Sequence, residues 1–169
     1  MILSLSETND SLGIQEKGCD MPKDNKVIVR TFIDIINRQD WAQFDELVAE
    51  SFVRHSSTYG QAGIRTRDQL KEYLKRKFQS FPDAVKTISF MVAKGDKIAV
   101  HSHCRATQKG PLGPFPALGQ SLSADFISIY RVAGERIVEA WVEWDALNGL
   151  IQLGHMRPPE SAREAGVAS

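Results

Sequence analysis

Read for the spacing of its apolar positions, the chain changes character near Pro82. Before that point apolar residues recur three and four apart, the period of a helix with one buried stripe. Ile28, Phe32, Ile35 and Ile36 share one side of a segment that Asp24 can cap and that runs to about Arg38. Asp40 caps a second, shorter helix whose buried stripe is Phe44, Leu47 and Val48. Phe52-Val-Arg-His55 is a short extended piece leading into a loop rich in Ser, Thr and Gly. Thr66 and Gln69 stand at capping-box spacing before a third helix, with Leu70, Tyr73, Leu74 and Phe78 on one face. Phe81-Pro82 ends it, because proline has no N–H to continue the ladder.

Beyond Pro82 the period drops to two and β-branched residues dominate, which predicts strands over 85–93, 97–107, 122–132 and 136–144. Lys-Gly-Asp-Lys at 94–97 turns the first pair, and Ala133-Gly134-Glu135 turns the second. Between the pairs, 110–119 carries three prolines and three glycines and reads as a loop suited to a lid or rim. The last strand has an apolar face of Val138, Ala140, Val142 and Trp144. Its other face is mixed, with Ile137, Glu139, Trp141, Glu143 and Asp145. Asp145 also stands where an N-cap belongs, ahead of a short apolar segment stopped by Gly154. Helices first and antiparallel strands after them make an α+β pattern: a curled sheet wrapped around three N-terminal helices, with a cavity between them. Residues 1–22 read as a flexible extension, 23–154 as the domain and 155–169 as a disordered tail.

The run from Gly134 to Gly154 resembles the C-terminal signature of the SnoaL-like polyketide cyclase, or ester cyclase, family, part of the nuclear transport factor 2-like superfamily. That signature is usually Gly-Lys-Ile-Val-Glu-His-Trp-Asp-x-Trp-Asp, followed by a short segment ending in Gln-Leu-Gly. The resemblance covers roughly residues 24–154, with Gly110-Pro-Leu-Gly113 standing for the family's Gly-x-x-x-Gly-x-Pro-Pro-Thr-Gly loop. It implies a cone-shaped, cystatin-like α+β barrel and a cofactor-free aldol closure. An aspartate of the final strand serves there as acid and base, supported by a histidine of the preceding strand. In this sequence the aspartate falls on Val142, the supporting histidine on Ser128, and the histidine that often opens the final-strand motif on Ala140. Valine and alanine carry no titratable proton, so the usual mechanism is not inherited.

Composition changes this picture little. Lys plus Arg and Asp plus Glu are 21 each among 169 residues, so no global pull toward nucleic acid or an anionic membrane is expected. The basic stretch from Lys71 to Lys77 interleaves with apolar residues and reads as a solvated helix face. Cys19 and Cys104 lie in different contexts, a polar extension and an apolar strand, so no disulfide is expected. With neither a signal peptide nor a membrane span in the sequence, the expected location is cytoplasmic.

The candidate chemistry is therefore local. His55 fits a family position where histidine is common, and its ordinary pKa suits a general base. Asp145 and Glu143 are the candidate acids, although capping already accounts for Asp145 and solvent or an interface for Glu143. His101 and His103 stand at i, i+2 on the side of their strand opposite Val100, Ser102 and Cys104. Spacing signals no third ligand, so no metal is expected. Arg105 can anchor an anionic group if its face lines the pocket. Tyr59, Phe126, Tyr130 and Trp144, with Ser128 and Val142, are the candidate substrate wall. No phosphate loop, nucleophile elbow or Cys-x-x-Cys pair is present, which disfavours nucleotide cofactors and serine catalysis. The expectation is a cofactor-independent cyclase or isomerase acting on an apolar, oxygenated small molecule. An epoxide-opening enzyme and a non-catalytic binding protein stand as alternatives. A homodimer is expected, because Trp141 on the outer sheet face needs cover.

Overall fold

The computed structural model describes residues 24–56 and 63–158. Cys19, Tyr59, the N-terminal extension and residues 159–169 lie outside them. The order of elements is α1 (Asn25–Arg38), α2 (Trp41–Leu47), β1 (Val48–His55), α3 (Arg67–Ser80), β2 (Val85–Lys94), β3 (Lys97–Thr107), β4 (Ser121–Ala133), β5 (Arg136–Trp144) and α4 (Ala146–Gln152). Each helix opens on the cap its sequence provides. Asp24 accepts from the Lys26 amide at 2.9 Å, and Asp40 from the Gln43 amide at 3.1 Å. Thr66 accepts from the Gln69 amide at 3.2 Å, while the Gln69 side chain reaches back to the Arg65 amide at 2.7 Å.

The strands form one open five-stranded sheet in the order β1-β5-β4-β3-β2. The hairpins turn where expected: Gly95 sits at φ 58°, and Gly134 and Glu135 at 55° and 60°, the conformation of a two-residue primed turn. Two features depart from the sequence reading. The sheet is mixed, because β1 lies parallel to β5 and becomes an edge strand. Val48, expected on the buried stripe of the second helix, is extended at φ −101°, ψ 132° and pairs with Ile137. The second departure is a bulge in β5. Arg131 pairs with Glu139 and Val132 with Ile137, so Val138 is the extra residue. Ile137, expected on the mixed face, is turned inward and wholly buried.

Alternation then sorts the sheet into two faces. Ile98, Val100, Ser102, Cys104 and Ala106 of β3 are buried, as are Phe126, Ser128, Tyr130 and Val132 of β4. α1 covers this inner face with Ile28, Val29, Phe32 and Ile33, and Phe32 meets Tyr130 edge-on at 5.4 Å between ring centres. Each such side chain removed from water contributes about 1.5–3 kcal/mol. The chain does not fall away after Gly154. The His155 ring hydrogen-bonds Gln108 at 2.8 Å and packs on Phe115, so His155 is packed against the domain.

Candidate functional site

Between the inner face, the helices and the 110–119 loop lies a cavity of about 970 Å³. Its wall is largely aliphatic and aromatic, with Phe32, Phe52, Leu74, Phe126 and Trp144 among the lining residues. The 111–115 segment forms one side, and its placement follows from three anchors. The Ser80 carbonyl accepts from the amides of Lys109 and Gly110 at 2.8 and 3.1 Å, and the Ser80 hydroxyl donates to the Pro111 carbonyl. The fully buried Gln108 amide donates to Gly110 and Pro116 carbonyls, both at 3.2 Å. Gly110 is required here, since a Cβ would run into the Gln79 carbonyl.

The polar groups that reach this cavity are mostly cationic or phenolic: Arg54, Tyr73, Lys77, Lys86 and Tyr130. Strand alternation turns Arg54 to the same face as the buried Phe52, and its guanidinium lies 5.3 Å from the centre of the Tyr73 ring. Tyr73 and Lys77 share one face of α3 at i, i+4. Lys86 follows the buried Ala84 by two residues and precedes the half-buried Ile88 by two. Its backbone is clamped by Asn37 of α1, which donates to the Lys86 carbonyl at 2.8 Å and accepts from the Lys86 amide at 2.9 Å. The Lys86 ammonium stands 4.3 Å over the Phe126 ring, and Lys77 stands 5.6 Å over the same ring. Phe126 in turn stacks on Trp144 at 5.1 Å.

Burial pulls the Lys86 pKa from 10.5 down to about 7, with the charges of Lys77 and Arg54 adding to the effect and Cys104 opposing it. Burial pushes the Tyr130 phenol up, with Ser128 and Arg54 pulling the other way. A partly neutral amine, a guanidinium and a protonated phenol around an apolar space can accept a proton, hold a developing oxyanion and return a proton.

Of the residues singled out from sequence, Phe126, Tyr130, Val142 and Trp144 line this cavity, and Ser128 is buried on the same face of β4. Glu143 also lines the cavity, although its register partner is Ile127 of the outer face. Three others are placed elsewhere. The parallel register sets His55 against Trp141 and Arg54 against Ala140, so His55 turns outward as Arg54 turns in. There the His55 ring stacks on Trp141 at 4.9 Å and meets Glu139 at 2.7 Å, while Arg131 donates to the other Glu139 oxygen at 2.7 Å. Those two partners, Arg131 first, hold the Glu139 carboxyl below its ordinary value. Asp145 is occupied as the cap of α4, accepting from the Asn148 amide at 2.9 Å. Arg105 is exposed on the outer face, beside a separate depression of about 580 Å³ shared with Asp83, Thr87 and His103.

His101 and His103 also face outward, as alternation requires. His103 meets Asp125 at 2.7 Å and Ser123 at 3.0 Å, and His101 stacks on Phe90 at 5.1 Å. Among the described residues no group of three potential ligands is placed to hold a metal ion. The basic stretch of α3 divides. Lys71 pairs with Asp45 and Lys75 with Glu72, whereas Lys77 faces the cavity instead of forming part of a solvated face. Arg54, Lys77 and Lys86 were therefore missed as site residues. The signal for two of them was the same alternation that placed the apolar wall: Phe52 with Arg54, and Ala84 with Lys86 and Ile88.

Among the described residues no helix is long and apolar enough to cross a membrane. No curated protein matches the sequence. IdmH of Streptomyces antibioticus, provisionally assigned as a polyketide cyclase, is 26% identical over 78% of this chain and 99% of its own, with a TM-score of 0.69. AclR of Streptomyces galilaeus, provisionally assigned as a hydroxylase, is 20% identical over 85% of this chain and 89% of its own, with a TM-score of 0.71. A SnoaL-like polyketide cyclase of Agrobacterium tumefaciens strain C58 is 16% identical over 74% and 94%, with a TM-score of 0.62. The last two are similar in fold alone. The family model for SnoaL-like polyketide cyclases matches residues 26–153, which takes in every helix and strand of the described residues but for the first residue of α1. On that match, the chain belongs to the SnoaL-like polyketide cyclase family.

Proposed function

We propose that the protein is a cofactor-independent cyclase or isomerase acting on an apolar, oxygenated metabolite of the polyketide kind, and that Lys86 replaces the family's aspartate as the proton-transfer group. The observation that carries this is the Lys86 amine, set over the Phe126 ring in an apolar cavity with its pKa near 7. A base is most effective when its pKa lies near the working pH. The substrate's ring system rests against Phe52, Phe126 and Trp144. Lys86 removes a proton next to a carbonyl, Arg54 and Lys77 hold the oxyanion that forms, and the resulting carbanion attacks a second carbonyl within the same molecule. Tyr130 returns a proton to the new alkoxide. Every step is redox-neutral, so the reading calls for no cofactor.

The test is turnover of an aromatic poly-β-ketone ester, followed by loss of substrate and appearance of cyclised product by mass spectrometry. Lys86→Met should lower kcat by about a hundredfold or more. Arg54→Ala should weaken it too, and His55→Ala and Asp145→Ala should leave it at the wild-type rate. Wild-type turnover in Lys86→Met, or its loss in His55→Ala with the fold intact, would reject the assignment.

A second reading, a binding protein without turnover, is favoured by Val142 and Ala140, which stand at the family's proton-carrying positions and are buried at 3% and 1% exposure. It predicts saturable binding of the same ester with the ligand recovered unchanged. We also propose that the outer face of the sheet seats a second copy of the chain. Phe90, Val92 and Ile127 are 58%, 58% and 53% exposed on the face turned away from the cavity. Solution mass is the check.

A further inference from the structure

We propose that Lys86 acts as a nucleophile as well, capturing a ketone or aldehyde carbon of the cavity's occupant as an imine. The proposal rests on the reading that the cavity takes a carbonyl-bearing molecule, and it goes beyond proton transfer by assigning a covalent intermediate.

Four observations carry it. The first is that the amine has no carboxylate partner. Among the described residues no carboxylate pairs with the Lys86 amine, and the groups that act on it are Lys77 of α3, Arg54 of β1 and Cys104 of β3. The remaining titratable groups around the cavity are Tyr73, Arg76, Tyr130 and Glu143. A lysine serving structure would be expected to have an ion-pair partner, since burying an ammonium without one is costly. The second is the pair of cations over one ring, Lys86 at 4.3 Å and Lys77 at 5.6 Å from the Phe126 centre. Like charges so placed favour loss of a proton from one of the pair, leaving a free lone pair. The third is the Asn37 clamp, two hydrogen bonds that fix the root of the side chain in the strand. The fourth is the wall, where Phe126 stacks on Trp144 at 5.1 Å and the amine stands beside this apolar pair of rings. A conjugated carbonyl compound entering the cavity meets this aromatic wall and the amine together.

The step balances without a co-reactant. The nitrogen lone pair forms the new C–N bond as the carbonyl π pair moves onto oxygen. That oxygen leaves as water, its two hydrogens matching the two lost from the amine, and a C=N bond remains. Hydrolysis reverses the step and releases the product.

Acetylacetone is the probe, because a neutral lysine amine converts it to a conjugated enaminone with a near-ultraviolet band absent from both reactants. The full chain is incubated with it across pH 5–9, the band is recorded, and the modified residue is mapped by peptide mass. The proposal expects one adduct, the mass of the diketone less water, with Lys86 labelled about tenfold or more above any other lysine at neutral pH. Lys86→Met and Lys86→Arg should abolish it. Lys77→Met should keep the band but move its half-formation to higher pH, because removing the neighbouring charge lets Lys86 hold its proton longer. In parallel, in a chain carrying Trp41→Phe and Trp141→Phe, quenching of the remaining Trp144 fluorescence by dihydroxyanthraquinone reports occupancy of that wall without needing the amine. Quenching with no Lys86 adduct would overturn the covalent step and leave the cavity reading intact. Absence of both would overturn both. Should Lys86→Met fail to fold, Lys86→Arg and the map of the wild-type chain decide the matter.

Discussion

A lysine amine with aromatic rings for neighbours and no carboxylate costs the folded state stability, and the sign of that cost can be read in pH. Lys86 titrates near 7 in the folded chain against 10.5 when unperturbed. Between those values the unfolded chain holds a proton the folded chain has released, so stability rises with pH across the window. Above it the penalty is gone, and below about pH 7 the whole of it remains. Lys86→Met fills similar volume without a charge. At pH 6 we expect it to raise the unfolding free energy by about 2 kcal/mol, a figure kept low because water in the cavity screens the ammonium. The gain should shrink to nothing by about pH 10.5. Chemical denaturation of both chains at the two ends of that range measures it, and an equal gain at both would show that packing, not charge, was responsible. The same substitution is the one expected to remove turnover. A variant more stable and less active is the mark of a residue kept for chemistry.

At the scale of elements, local pattern and non-local pairing contributed differently. Helix stripes, caps and both hairpins were legible because each is set by residues a few positions apart. Asp145 shows how far that goes: its capping role was readable from its place before an apolar segment, and it accepts from the Asn148 amide as a cap should. Asp145→Ala should cost about 1 kcal/mol in unfolding free energy with turnover unchanged. A large fall in turnover at full stability would return Asp145 to the chemistry. α4 matters to the site through packing, since the Trp144 ring lies against Gly149 with no room for a Cβ between them. What sequence could not supply was the partner of each strand. That β1 runs parallel to β5 depends on residues eighty-odd positions apart, and this pairing is what turns His55 out and Arg54 in. The bulge at Val138, which buries Ile137, is likewise a property of two strands together. Arg54 and Lys86 were within reach of alternation. Sequence alone assigns them to the solvent side, because charged residues are almost never found facing a core unless paired.

For the whole molecule, the unexplained surface is the outer face of the sheet. Trp141 is partly covered from within the chain by His55, so it does not by itself demand a partner. The stronger argument is the apolar ground on β2 and β4, where Phe90, Val92 and Ile127 are each more than half exposed. His101, stacked on Phe90 and paired in register with Ile127, ties part of this ground together. Contiguous apolar surface of that kind is characteristic of an interface, and a twofold arrangement lets one patch cover its own copy. We expect light scattering to give twice the 18.9 kDa chain mass. Ile127→Lys should bring it to one chain, because two copies of a lysine would meet across the axis or be buried unpaired. Since Ile127 faces away from the cavity, the monomeric variant should still form the Lys86 adduct with acetylacetone. A wild-type chain that remains single at high micromolar concentration would refute the dimer. Loss of the adduct on separation would mean that the partner copy shapes the cavity, a dependence the inward placement of Arg54, Lys77 and Lys86 argues against.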